Sequence, residues 1–188
     1  MKALLGPGSQ TSDRRQAMTR GVAQEAALQE LLDRQAIYDC LVRYCRGIDR
    51  CDAELVRSVY HPDAYDDHGP FFRGSGYEFA DKVVGMLQRY KCTTHFIGNH
   101  RVELDGDVAY AETYVIAYHR FQRRDGREYD FVFAGRYIDR FERRDGEWKI
   151  AHRVVTHDWN RIDPVGETWD PRDMTPGLRS REDAVYRR

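Results

Sequence analysis

Several signals that would sort this chain at once are missing. It has only four cysteines in 188 residues, Cys40, Cys45, Cys51 and Cys92, and no CxxC pair. They read as reduced thiols in a cytoplasmic protein, and their spacing fits no common zinc site. No apolar run approaches the roughly 18 residues of a membrane helix. The start, "MKALLGPGSQTSDRRQ", has a very short apolar patch and then a polar run, unlike a signal peptide. Charge of one sign is also lacking. The formal net charge is −1, with acids and bases intermixed, which argues against a nucleic-acid footprint. No internal repeat appears.

What is present is a chain of domain size, 41% apolar and 32% charged, which reads as soluble and globular. Residues 1–22 lack periodicity and read as a disordered tail. From about Gln24 the pattern is helical: Leu28, Leu31, Leu32, Ile37, Leu41, Tyr44, Cys45 and Ile48 make an apolar stripe. Asp52 is placed to cap a short second helix, and His61-Pro62 ends it. "SGYEFADKVVGMLQRY" reads as a third helix capped by Ser75 and Glu78. After residue 95 the texture changes to strands. "LDGD", "RDG" and "RDG", at residues 104–107, 124–126 and 144–146, read as hairpin turns between alternating β-branched and aromatic runs. Helices followed by strands imply an α+β domain over 23–160, with N-terminal helices packed in the concave face of a strongly curved antiparallel sheet. Residues 161–188 read as an extended tail covering a surface or a neighbour.

The strings "YCRGIDRCD", "SVYHPDAYDD", "TTHFIGNHRVE" and "RRDGEWKIAHR" resemble the SnoaL-like branch of the nuclear-transport-factor-like superfamily, the cystatin-like α+β cone. The resemblance runs from about Gln29 to Trp159. It implies a cone pocket and a cofactor-independent lyase with an aspartate–histidine dyad, here Asp49 and His95. It also places Tyr44, His68, His119 and Arg153 near that dyad, with His68 standing where the dehydratases of the family carry tyrosine.

The chemistry is sound without the family. An aspartate bonded to one imidazole nitrogen fixes the tautomer and makes the other nitrogen a base. His95, Asp49, Tyr44, His68 and Arg153 are the catalytic candidates. His119, Tyr137, His157 and Trp159 are the substrate-binding candidates. Tyr44 also fits simple core packing. Arg153, Val155, His157 and Trp159 share one strand face by alternation. A buried Arg153 needs an anionic substrate group or an ion-pair partner. "HPDAYDDH" invites a metal, but its aspartates, Asp66 and Asp67, read better as solvated or turn-forming, and no metal or cofactor is expected. His100 reads as a surface residue.

These readings converge on dehydration of a small hydrophobic, aromatic or cyclic substrate. Loss of halide, retro-aldol loss of formaldehyde, and isomerisation or cyclisation of a polyketide or steroid-like compound use the same base. A non-catalytic small subunit or ligand-binding module would instead hold Asp49 and His95 beyond hydrogen-bond reach. A homotrimer or homodimer is expected, without nucleic-acid or membrane partners.

Overall fold

The local chemistry of the hairpin turns is visible in the backbone. Gly106, Gly126 and Gly146 all have positive φ, at 60°, 83° and 81°. Asp145 joins Gly146 in that region at φ 53°. Two consecutive positive-φ residues match the right-handed twist of the strands they connect.

The computed structural model describes residues 8–187. Helix α1 spans Gly8–Arg50, α2 Ala53–Arg57 and α3 Gly76–Leu87. The strands are β1 Tyr60–Asp67, β2 Arg73–Ser75, β3 Cys92–Asp105, β4 Val108–Gln122, β5 Glu128–Arg144 and β6 Glu147–Pro164. A 3-10 turn at Ala184–Tyr186 closes the described chain. Among the described residues, no helix is long and apolar enough to cross a membrane.

Two corrections to the sequence reading concern α1 and the sheet. The sequence predicts disorder through residue 22, yet α1 begins at Gly8; residues 1–7 lie outside the described part. From Gly8 to Arg50 there is no proline, and arginine, alanine, glutamine and leucine are frequent. These are strong helix formers, and lack of an apolar stripe does not stop them. The sheet has six strands in the order β2-β1-β6-β5-β4-β3 and is mixed, because β1 runs parallel to β6. The segment "YHPDAYDD" carries a proline and three aspartates, residues that strands hold rarely. Its strand character comes from pairing with β6, far along the chain.

The chain divides into two compact units after Ala36. In the first, Arg34 pairs with Glu30 one turn earlier at 2.7 Å, and Leu28, Leu31 and Leu32 are exposed. In the second, the stripe becomes core: Ile37, Leu41, Tyr44, Cys45 and Ile48 are buried. Asp52 caps α2 by accepting from the Leu55 N–H at 3.1 Å, and Ser75 caps α3 by accepting from the Tyr77 N–H at 3.2 Å.

Bulges bend the long strands. The β5–β6 register shifts between Arg140 and Phe141 and again between Ala134 and Gly135, leaving Ala151 and Asp158 as the extra residues on β6. Gly135 is required at the second bend: a Cβ there would lie 2.0 Å from the Thr156 carbonyl oxygen. The bulge at Asp158 also corrects the expected face of Trp159. Trp159 pairs with Ala134, whereas Arg153 and His157 pair with Asp139 and Gly135. Its side chain therefore leaves the face shared by Arg153 and Tyr137, and Trp159 is 48% exposed.

Candidate active site

Strand register assembles the inner face. His95 lies opposite Ala117, and Thr93 opposite His119, so His95 and His119 share one face two positions apart. Their rings meet edge to face at 5.4 Å. Asp49, in the last turn of α1, reaches β3 from the other side. Its carboxylate accepts from the His95 backbone N–H at 3.0 and 3.1 Å, and Oδ1 lies 2.8 Å from His95 Nδ1. A carboxylate there assigns the proton to Nδ1 and leaves Nε2 as the basic nitrogen. The side chains of Asp49 and His95 are only 12% and 9% exposed.

His119 is set apart from that base by its environment. Burial, then the neighbouring His95, lowers its pKa to about 3, so it is neutral at physiological pH. Its ring packs on Tyr90 at 4.8 Å and on Phe131 at 5.6 Å.

A second aspartate–histidine pair stands deeper in the fold. Asp66 is fully buried; its Oδ2 accepts from the Tyr60 hydroxyl at 2.6 Å and its Oδ1 bonds His68 Nδ1. His68 Nε2 lies 3.2 Å from the Tyr44 hydroxyl, and the His68 ring stacks on Phe79 at 4.3 Å. Burial raises the pKa of Tyr44, with Arg153 partly opposing it, so Tyr44 keeps its proton. Sequence reading gives His68 but misses Asp66, which reads as a turn former. It misses Tyr60 as well.

Arg153 is completely buried and pairs bidentately with Asp139, both contacts at 2.7 Å. Its guanidinium lies between the rings of Tyr44 and Tyr137, at 4.3 and 4.1 Å. This is the ion-pair environment that a buried arginine needs. Counting across the Asp145-Gly146 turn places Asp139 opposite His152. The bulge at Ala151 moves it to Arg153, which is why the partner is hard to read from the sequence. His157 is exposed and bonds Asn160 at 2.6 Å, away from the dyad. His100 is not the surface residue expected: its Nδ1 lies 2.8 Å from the buried Thr113 hydroxyl.

The acids of "HPDAYDDH" are occupied by protein partners. Asp63 pairs with Arg144 at 2.6 Å, and Asp67 accepts from the Gly69 N–H at 2.7 Å and from Arg73 at 3.0 Å. The grooves bounded by α1, α2 and the C-terminal segment, and by residues of β3–β6, are lined by neither dyad. The C-terminal segment folds back on the chain. Leu178 O accepts from Arg50 at 2.9 Å, and Tyr186 donates to Asp52 at 3.0 Å.

With that geometry in place, the chain can be compared with known proteins. An uncharacterized protein of Mycobacterium tuberculosis is 31% identical over 133 residues, covering 68% of this chain and 86% of the relative. A hexachlorocyclohexane dehydrochlorinase from Novosphingobium barchaimii superposes with a TM-score of 0.65 at 23% identity, covering 77% of this chain and 99% of that one. A cystatin-like protein of unknown function from Nostoc punctiforme superposes at 0.56 with 20% identity, covering 68% and 92%. These likenesses establish the cystatin-like α+β fold. The family model for the SnoaL-like domain matches residues 29–154, and the chain belongs to the SnoaL-like domain family.

Proposed function

We propose that this protein is a cofactor-independent lyase acting on a small cyclic or aromatic molecule, with His95 as general base. The observation that carries the reading is the 2.8 Å contact between Asp49 and His95 Nδ1, reinforced by the backbone N–H bonds to the same carboxylate. A non-catalytic binding module has no need of that alignment. Nε2 of His95 removes a proton from carbon, the carbon–oxygen bond of the adjacent hydroxyl breaks, and the hydroxyl leaves as water after taking a proton.

The second pair supplies that proton. His68 Nε2 passes a proton to the Tyr44 oxygen as the Tyr44 O–H protonates the leaving group, while Asp66 holds the far side of the ring. Arg153, against the Tyr44 ring, positions the phenol from the sealed side. His119, neutral and flanked by Tyr90 and Phe131, gives an aromatic ring a surface to pack on.

Exposed Tyr110, Tyr114, Ile116 and Ile138 on β4 and β5 are suited to self-association, and we propose a homo-oligomer, either a trimer or a dimer. Light scattering of the purified protein reads the state directly.

The test of the reaction uses cyclic β-hydroxy ketones and hexachlorocyclohexane, with water loss followed by mass spectrometry and chloride by ion chromatography. Wild type should eliminate. His95→Ala should lower the rate by about 10²–10⁴-fold while retaining the wild-type circular dichroism spectrum. Full activity in the folded variant overturns the assignment. A product of unchanged mass indicates isomerisation by the same base.

A further inference from the structure

The cation positioned to meet a substrate near the first dyad is not Arg153, which Asp139 neutralises in the core. The C-terminal segment, beyond the family-matched residues, supplies another. Arg179 Nη2 donates to the Leu87 carbonyl at 2.7 Å and contacts Cys51 Sγ at 3.0 Å, and Nη1 donates to the Tyr90 carbonyl. All three partners are uncharged. No carboxylate lies within ion-pair distance among the described residues, although Arg172 and Arg181 of the same segment are both paired. Its Nε–H is shielded from water and has no acceptor. A half-buried guanidinium held by three contacts normally finds an anion or fills its donor set. This one does neither.

Its place relative to the dyad gives the unpaired charge a meaning. Tyr90, whose carbonyl holds Arg179, packs its ring on His119, and His119 meets the His95 ring. Cys51 is two residues from Asp49. The positive charge of Arg179 reaches far enough to help keep His119 neutral. A planar anion stacked near Tyr90, His119 and Phe131 would present its oxygens toward the guanidinium. Arg is the side chain suited to such a planar carboxylate.

We infer that Arg179 is a substrate-binding residue that receives a carboxylate carried by a cyclic or aromatic substrate. This rests on the reading of the Asp49–His95 end as the reaction site, and it narrows the substrate class to acids. The three contacts to Leu87, Tyr90 and Cys51 fix the guanidinium in place before the ligand arrives, which reduces the ordering cost of binding.

The experiment measures binding rather than turnover. Benzoate and the neutral, similarly shaped benzamide are titrated into the full chain by calorimetry and into protein labelled with ¹⁵N-histidine by NMR. Benzoate should bind at least about 10-fold more tightly than benzamide, as a charge-assisted pair requires, and should perturb the His119 and His95 ring signals. Arg179→Gln should erase the preference. Arg179→Lys should keep part of it, and Arg172→Gln, an exposed arginine of the same segment, all of it. Hydrogen exchange of residues 178–186 checks that the segment stays docked in each variant.

Equal binding of the two probes by wild type overturns the inference, as does a preference that survives Arg179→Gln. Loss of the preference in a docked Arg179→Lys variant also overturns it. A benzoate preference in wild type beside full activity of a folded His95→Ala variant refutes the lyase reading alone.

Discussion

Asp139→Asn tests how the core carries a buried cation. Both side chains of the Arg153–Asp139 pair are wholly inaccessible, and two bonds of 2.7 Å join them. With charge centres about 4 Å apart and an effective dielectric of about 20, their attraction is about 4 kcal/mol. The amide keeps much of the shape but removes the negative charge, leaving the guanidinium with two phenol rings as its main partners. Those rings offset up to about 2 kcal/mol for a desolvated cation. The net loss should be about 3 kcal/mol, near the lower end of the range for breaking a buried pair. Urea unfolding followed by tryptophan fluorescence measures it as a fall in midpoint at unchanged slope. Arg153→Met should cost a similar amount by stranding the carboxylate. The double variant Asp139→Leu/Arg153→Met should recover to within about 1 kcal/mol of wild type, since apolar replacements remove both desolvation penalties. A loss below about 1 kcal/mol for Asp139→Asn, or additive single effects in the double variant, refutes the reasoning.

Three other outcomes are expected from the geometry. His119 takes up a proton in the unfolded chain near pH 6.5 but in the fold only near pH 3. Its contribution is therefore complete above about pH 6.5 and is lost as pH falls toward 3, by up to roughly 5 kcal/mol. Stability measured from pH 7 to 4 should decline less steeply in His119→Gln, and parallel curves would contradict this. Asp66→Asn should loosen the Tyr44–His68 unit. The ¹⁵N spectrum should then show the His68 ring signals shifting while those of His95 stay in place; an unchanged His68 signal counts against the relay. Gly135→Ala forces a Cβ against the Thr156 carbonyl and should destabilise by about 3 kcal/mol in urea; a neutral effect would mean that the bend in β6 relaxes freely.

The limits of alternation are plain along β6. From Glu147 to Ile150 the strand pairs as its turn dictates, so local pattern suffices. Beyond Ile150, two single-residue bulges re-aim the rest of the strand, giving Arg153 its partner Asp139 and turning Trp159 to the other face. A bulge is a compromise between neighbouring strands, and the sequence of one strand does not display it.

The sequence by itself determined the helix-then-strand order, the hairpin turns and the caps, because each depends on a few neighbouring residues and the φ or hydrogen bond they allow. It also carried the dyad, through strings that resemble the family. Tertiary structure alone decided the parallel β1–β6 pairing, the role of Asp66, the neutralisation of Arg153 and the arrival of Arg179 beside the site. Each of these joins residues distant in the chain, and burial decides which charge is paired and which is left for a ligand.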